Sequence, residues 1–231
     1  MSRLFQIGPS IFLAEGGTIN AALGFHYPTR MAVIQLPNQD LVIWSPIALE
    51  PTLQREVSAL GVVAHIIAPN SLHDTWVSDW ALAFPHAHLY AAPNLDKKRP
   101  DIRFTATLGN TPEPAWHKAI DQVLFETALT TEVILFHQES GIVLFTDLLQ
   151  DLPKRWFRGW RRVAARLDLM LEEQPTVPRK FRLATRNRAA ARKSVDRILS
   201  WPVQGVVMAH RTPVRENCNA YLQAAFKWLQ Q

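Results

Sequence analysis

Cysteine is nearly absent from this sequence. Cys218 is the one cysteine in 231 residues, so a disulfide cannot form within the chain. A chain without disulfides suits a reducing compartment, and a lone thiol cannot build a thiolate metal cluster. Any metal ion that this chain binds is therefore expected to be held by imidazoles and carboxylates.

Long apolar runs are missing as well. The sequence contains no stretch of about 18 uncharged apolar residues, so no membrane-spanning helix is expected. The first residues, MSRLFQIGPSIFLAEGG, are interrupted by Gln6, Gly8, Pro9 and Ser10, and they contain no continuous apolar core of a signal peptide. We expect a cytoplasmic protein.

Several common catalytic motifs do not occur. There is no glycine-rich phosphate loop and no Gly-x-Ser-x-Gly nucleophile elbow, and Cys218 lies in a predicted helix without an evident base beside it. These absences argue against a phosphate-loop nucleotidase, a serine hydrolase of that type and a cysteine enzyme.

The apolar segments predict an α/β protein. Hydrophobic residues make up 48% of the chain, and the β-α-β-α-β order of residues 41–92 is typical of a sheet covered by helices. We expect a single domain over residues 1–231 with a basic helical insertion at about 151–200. Strands are predicted at 11–14, 31–36, 41–44, 62–68, 88–92, 122–126, 132–136, 142–145 and 206–209, and helices at 51–60, 74–84, 154–171, 183–199 and 213–229.

Four polar side chains stand directly after buried apolar runs. His73 follows VVAHIIAPN, His137 ends VILF, Asp147 follows IVLF through Thr146, and His210 ends GVVMA. Open α/β folds place ligand sites beyond the carboxyl ends of their strands. Three imidazoles and one carboxylate are suitable ligands for Zn²⁺, Fe or Mn²⁺. The structural alternative is a set of hydrogen-bonded histidines, with Asp147 capping the segment 148–152.

The order of these parts resembles the metallo-β-lactamase superfamily, and in particular a branch with a degraded metal-binding motif. HIIAPNSLHDTW stands where the family has its His-x-His-x-Asp-His signature, LFTDLL where it has a Gly-Asp pair, and VMAHR where it has its last histidine. The resemblance implies an αββα sandwich, with two mixed sheets flanked by helices and a site at one edge of both sheets.

The departures from the family pattern concern the metal ligands. If the signature begins at Asn70, only Asp74 is retained; if it begins at Ala68, Asn70 replaces the second histidine and His73 is retained. We prefer the second frame because it keeps a ligand. Thr146 replaces the usual glycine, and the interval from His137 to the aspartate is shorter than the family normally shows.

The resemblance implies metal-dependent hydrolysis, reduced here to at most one transition metal. His73, His137, Asp147 and His210 are the predicted ligands, and Asp74 beside His73 is a candidate for orienting a ligand or acting as general base. We expect His73 and Asp74 to be the catalytic residues and the substrate to be a small anionic molecule. The alternative is a catalytically inactive binding protein that retains the fold and engages a partner or a membrane surface through the edge of the sandwich or through its basic helical segment.

Two further residues, Asn70 and His26, are predicted to contact the substrate. Asn70 belongs to the signature segment. His26 follows the turn at Glu15-Gly16-Gly17, which in this interpretation lies at the edge of the site.

Positive charge is concentrated in one segment. Residues 151–200 hold 14 of the 25 lysines and arginines and 5 of the 20 acidic residues, a net charge of +9, whereas the rest of the chain sums to −4. In 154–171, Trp156, Trp160, Val163, Leu167 and Met170 or Leu171 form one helical stripe with arginines largely off it.

Two interpretations of this basic helix remain open. The stripe packs on the core and leaves the arginines in solvent, or it contacts a membrane surface or an anionic substrate. We do not expect nucleic-acid binding, because the following run 178–197 lacks interleaved aromatic residues.

Overall fold

The computed structural model describes residues 3–171 and 176–230. In it, two β-sheets pack face to face, and helices cover the outer face of each sheet.

The first sheet has seven strands in chain order. Its first four strands are joined as antiparallel neighbours, and the remaining strands run parallel to the fourth. The strands are β1 (Leu4–Gly8), β2 (Ile11–Asn20), β3 (His26–Gln35), β4 (Asp40–Trp44), β5 (Val62–Ala68), β6 (His88–Ala91) and β7 (Ala106–Thr107).

The second sheet has five strands, and its two central neighbours run parallel although they are far apart in sequence. Its order is β12-β11-β10-β9-β8, with β10 parallel to β11 and the other neighbours antiparallel. The strands are β8 (Ile120–Glu126), β9 (Thr131–His137), β10 (Ile142–Phe145), β11 (Gly205–Met208) and β12 (Arg211–Val214).

Seven α-helices complete the described residues. The first begins with proline in its first turn and ends at Gly61, where a Cβ atom would lie 2.3 Å from the carbonyl oxygen of Gln39. No helix in the described ranges is long and apolar enough to cross a bilayer. The helices are α1 (Pro51–Leu60), α2 (Val77–Ala83), α3 (Leu95–Lys98), α4 (Gly159–Leu167), α5 (Arg179–Ala184), α6 (Arg188–Ser200) and α7 (Cys218–Phe226).

Three apolar layers hold the sandwich together. Alternate residues of a strand point to opposite faces, so Leu41 and Ile43 of β4 pack towards Val57 of α1. Their neighbours Val42 and Trp44 lie in the layer between the two sheets. A third layer joins the second sheet to α6 and α7. This arrangement confirms the predicted αββα sandwich.

Several predicted helix boundaries are wrong. The helix predicted at 74–84 begins at Val77, because residues 70–76 form turns. The segment 213–229 begins as β12, which pairs with β11, and its helix starts at Cys218. The segment 183–199 contains parts of two helices, and the side chain of Asn187 accepts a hydrogen bond from the amide of Ala190 to begin the second.

The apolar stripe predicted for 154–171 is divided between the core and the solvent. Only Gly159–Leu167 is helical, so residues before and after it do not share its periodicity. Trp156 is half-buried and Met170 is buried, but Trp160, Val163 and Leu167 are 54%, 60% and 61% exposed. The prediction that the whole stripe packs on the core is therefore wrong.

His65 of β5 is a buried histidine with an incomplete set of hydrogen bonds. Its ring is 6% exposed and packs against His88, Tyr90 and Trp116, and its Nδ1 has no hydrogen-bond partner among the described residues. Burial, and then the neighbouring His88, lower the pKa of His65.

The folded protein therefore resists protonation of His65, whereas the unfolded chain binds that proton at pH values below about 6.5. Acidification through this range should lower the free energy of unfolding, and His65→Phe should remove about 1 kcal/mol of the loss between pH 7 and pH 5.5. Urea unfolding at both pH values measures the difference. His86→Gln, at an exposed position, is the control, and equal pH dependence in all three proteins would contradict the prediction.

Candidate metal centre

Four strand ends meet at one edge of the sandwich. In the first sheet, β4 leads into Ser45 and β5 leads into the loop that carries His73; in the second, β10 leads into Asp147 and β11 into His210. Because β4 and β5 run parallel, as do β10 and β11, the carboxyl ends within each pair lie at the same edge of their sheet.

His73, Asp147 and His210 form a compact cluster at this edge. The Nε2 atom of His73 lies 3.2 Å from Oδ2 of Asp147, and the Nε2 atom of His210 lies 3.3 Å from Oδ1. One candidate ligand atom from each residue lies within 4.8 Å of the others. All three side chains are almost entirely shielded from solvent, with 11%, 8% and 5% exposed.

The outer nitrogen of each imidazole already has a partner. Nδ1 of His210 lies 2.7 Å from the carbonyl oxygen of Pro28, which only accepts, so this nitrogen carries a proton. Nδ1 of His73 lies 2.8 Å from Oγ of Ser45. The Ser45 hydroxyl donates its hydrogen to the carbonyl of Arg30, so it accepts the hydrogen bond that Nδ1 of His73 donates. In the neutral form of each ring, Nε2 therefore presents a lone pair to Asp147, whereas in the protonated form Nε2 donates a hydrogen bond to the carboxylate.

Three electron-rich groups thus converge on one point. Burial by itself raises the pKa of Asp147, but the contacts with His73 and His210 hold that pKa well below its usual range. An ionised carboxylate between two Nε2 atoms requires positive charge, either a proton on an imidazole or a metal ion. Two histidines and one carboxylate match the ligand preferences of Zn²⁺, Fe²⁺ and Mn²⁺, so the residues fit a single metal ion.

Asn70 positions this cluster and does not face a substrate. It is completely buried, and its Nδ2 donates to Oδ2 of Asp147 at 2.8 Å and to Oγ1 of Thr146 at 2.8 Å. Its Oδ1 accepts from the amides of Leu72 and His73. The prediction that Asn70 contacts substrate is wrong, because all of its polar atoms are engaged in holding the loop and the carboxylate.

Asp74 lines the same cavity as the cluster but is paired with two cations. Its Oδ1 lies 2.8 Å from Nζ of Lys98, and its Oδ2 lies 3.4 Å from the guanidinium of Arg99. Because both carboxylate oxygens contact these cations, the structure does not support the prediction that Asp74 acts as general base. The geometry favours the signature frame that begins at Ala68, because the residue retained in that frame, His73, contacts Asp147.

His137 lies outside the cluster. β9 runs antiparallel to β10, and His137 pairs with Ile142 at the beginning of β10, whereas Asp147 follows the end of that strand. The two are thus at opposite edges of the sheet, and Nδ1 of His137 bonds Oγ of Ser140 at 2.8 Å. The prediction of His137 as a fourth ligand is wrong because it did not account for strand direction.

His26 also lies apart from the cluster. Its ring packs on Trp156 and Phe157, with centroid distances of 5.5 and 5.2 Å. It contacts the basic segment and does not line the cavity described below, so the structure does not support its predicted contact with substrate.

Glu132, which the sequence interpretation overlooked, supports the loop that carries Asp147. Its buried carboxylate accepts hydrogen bonds from the amides of Thr146, Asp147 and Leu148 at 2.7, 2.8 and 2.9 Å. Burial, and then the nearby Asp147, raise the pKa of Glu132. The available signal was one acidic residue in the otherwise apolar strand TEVILFH.

A cavity of about 350 Å³ opens onto the three clustered residues. Lys98, which is paired with Asp74, and Lys180, whose Nζ lies 3.4 Å from Oδ2 of Asp168, stand in its wall. The centroid of the Tyr27 ring lies 5.3 Å from that of the His210 ring. Burial, and then Asp147 and Asp168, raise the pKa of Tyr27, so the phenol stays protonated at neutral pH. The cavity therefore combines the buried carboxylate with a neutral donor and two ammonium groups.

Solved structures with the same fold include proteins of the metallo-β-lactamase type. A metallo-β-lactamase from Pontibacter korlensis aligns with a TM-score of 0.63 and 11% identity, covering 99% of this chain and 98% of that one. The metallo-β-lactamase FIM-1 from Pseudomonas aeruginosa, in its mono-zinc form, aligns with 0.63 and 12%, covering 99% and 96%. These alignments confirm a metallo-β-lactamase-like fold.

The metal-soaked Flv1 flavodiiron core from Synechocystis sp. PCC6803 aligns with a TM-score of 0.66 and 10% identity, covering 98% of this chain. This chain spans 60% of that protein's length. In sequence, a family model described as a domain of unknown function, DUF4336, matches residues 19–158. The matched range includes His73 and Asp147 and ends before His210. No curated protein matches the chain.

Removal of the Glu132 carboxylate should unfold the site loop. Glu132→Ala leaves the buried amides of Thr146, Asp147 and Leu148 without their acceptor, and it should lower the free energy of unfolding by about 3–5 kcal/mol. Glu132→Gln retains one acceptor oxygen and should cost about 2 kcal/mol. Urea unfolding measures both. Glu126→Gln, at an exposed position on β8, is the control, and a loss under 1 kcal/mol for Glu132→Ala would contradict the assignment.

Proposed function

The chain belongs to the DUF4336 family, and we propose that it is a metal-dependent hydrolase that uses one transition metal ion and acts on a small anionic substrate. The observation that carries the proposal is the convergence of two imidazole Nε2 atoms on the Asp147 carboxylate, with both Nδ1 atoms already bonded. Such hydrogen bonds from the outer nitrogens are typical of histidines that ligate metals.

A single ion fits this site better than a pair. The amide nitrogen of Asn70 donates to Oδ2 of Asp147, and Nε2 of Gln150 donates to Oδ1 at 3.1 Å. These donors use lone pairs of the carboxylate that a second metal ion would need. The mono-zinc form of the structural relative FIM-1 supports the same stoichiometry.

Hydrolysis requires activated water and a bound substrate. When bound, a divalent ion lowers the pKa of a coordinated water towards neutrality and polarises a carbonyl or phosphoryl oxygen. The chain's residues bind and orient the substrate. Lys98 and Lys180 attract an anion to the cavity, and the protonated Tyr27 hydroxyl offers a hydrogen bond to negative charge that develops on a substrate oxygen.

A catalytically inactive binding protein is the second candidate. The observation that favours it is the pairing of Asp74 with Lys98 and Arg99, which leaves the cavity without the general base that the sequence suggested. The same site would then hold a ligand without transforming it. Turnover by the metal-loaded protein separates the two candidates.

Purification without chelators should yield about one zinc, iron or manganese ion per chain, and metal analysis by mass spectrometry measures it. His73→Gln, His210→Gln and Asp147→Asn should each lower the occupancy at least tenfold, because each removes a ligand. His137→Gln is the control, since this histidine is also buried but lies at the opposite edge of the sheet, and the variant should retain the metal.

A wild-type protein without metal, whose melting temperature is unchanged by Zn²⁺, Fe²⁺ and Mn²⁺, would overturn the metal site. Loss of metal from His137→Gln to the same extent as from His73→Gln would also count against it. Circular dichroism of each variant shows whether the fold is retained.

The metal-loaded protein should hydrolyse esters, thioesters or lactones that carry a carboxylate or phosphate group faster than neutral analogues. Lys180→Met removes one cavity cation and should raise KM for the anionic substrates about tenfold with little change for neutral ones. Steady-state kinetics on matched pairs of substrates measure this difference. A metal-loaded protein with no turnover above that of His73→Gln on any pair would favour the binding protein.

A further inference from the structure

Helix α4 presents its large apolar side chains to solvent. Trp160, Val163 and Leu167 follow one another at intervals of three and four residues, so they share one face of the helix. Each is more than half exposed. The opposite face contacts the body of the protein through the small residue Ala165, which is completely buried. The helix is therefore oriented with its most hydrophobic surface outwards.

Arginines surround this exposed face. Arg155, Arg158, Arg162 and Arg166 are exposed, and their side chains form no ion pair or hydrogen bond with any residue in 3–171 or 176–230. Arg162, Arg166 and Arg179 line a shallow surface depression together with Val163 and Leu167. Apolar and positively charged groups are thus combined in one surface whose arginines have no acidic partner in the described part of the chain.

The loop between β2 and β3 extends the same surface. Leu23 is 74% exposed at the tip of this loop, with a backbone φ of 57°, and its carbonyl accepts a hydrogen bond from Nε of Arg161 at 2.7 Å. Phe25 contacts the Trp160 ring with centroids 5.8 Å apart. These contacts join the loop to α4, so a second exposed leucine stands beside the apolar face.

We propose that the face formed by Leu23, Trp160, Val163 and Leu167 docks on an anionic lipid bilayer. Tryptophan and leucine side chains enter the boundary between headgroups and acyl chains, while the arginines bind lipid phosphates and carboxylates. The segment 151–200 carries the net charge of +9 that attracts such a surface, and the remainder of the chain is net negative. The charge asymmetry orients α4 towards the bilayer.

The charges argue against a second copy of this chain as the occupant. Two-fold pairing of the same face would bring Arg162 and Arg166 close to their own copies, and the residues described in 3–171 and 176–230 offer them no acidic partner there. Nucleic acid is disfavoured because the face offers Trp160 alone as a stacking surface, and Arg161 already lies over that ring at 5.0 Å.

Docking would place the candidate metal centre close to the bilayer. Asn20 and Ala21 line the cavity, and they precede the loop tip at Leu23 by a few residues. Docking itself does not depend on the metal site, and it is tested on a surface that shares no residue with the cluster of His73, Asp147 and His210.

Co-sedimentation with vesicles tests the proposal. The full chain should bind vesicles of mixed phosphatidylserine and phosphatidylcholine at low salt, bind less at about 0.15 M salt, and not bind phosphatidylcholine alone. Arg162→Gln and Arg166→Gln should each lower the partition coefficient about fivefold. Val163→Gln combined with Leu167→Gln should lower it at least tenfold.

Matched controls lie on other surfaces of the same chain. Leu82→Gln on α2, where the leucine is 85% exposed, and Arg103→Gln, at an exposed position outside the basic segment, remove similar groups and should leave binding unchanged. The proposal is overturned if the wild type does not bind anionic vesicles, or if the controls lose as much binding as the α4 variants. Light scattering that shows an α4-dependent dimer, or α4-dependent binding to single-stranded DNA without binding to vesicles, would also overturn it.

Discussion

The ionised carboxylate of Asp147, enclosed between two β-sheets, is the constraint around which this edge of the molecule is arranged. A buried charge is costly unless it is paired and hydrogen-bonded. Here the first sheet supplies His73 and the amide of Asn70, and the second supplies His210 and Gln150. The carboxylate thereby ties together loops from both halves of the sandwich, and its buried negative charge is the basis of the metal site that we propose.

The fold could be predicted largely because its strands are apolar and separated by clear turns. The strand predicted at 62–68 and the helix predicted at 51–60 have the observed bounds, since each is delimited by proline, glycine or asparagine. Segments without such delimiters were harder to predict. The run that begins at Pro213 contains a short strand whose formation depends on pairing with β11, and local helix propensity does not report that partner.

The candidate site was predictable in part, for a geometric reason. A polar residue after an apolar run marks the carboxyl end of a strand, and this rule brings Asp147 and His210 together because β10 and β11 are parallel. The same rule fails for His137, since β9 is antiparallel to β10. Strand direction is a property of tertiary topology, which the spacing of residues in the chain does not determine. Contacts such as that of Asn70 with Asp147, 77 residues apart, depend on the same topology.

The hydrogen bond between His210 and the carbonyl of Pro28 joins positions 182 residues apart. The cluster can therefore be completed only late in the synthesis of the chain. His73 and Asp147 emerge from the ribosome well before His210, and the orientation of His210 depends on a strand made near the start of synthesis. A nascent chain that ends before β11 lacks His210 and cannot form the complete cluster. Under the proposed function, metal occupancy therefore requires that β3 and β11 have come together in the folded chain.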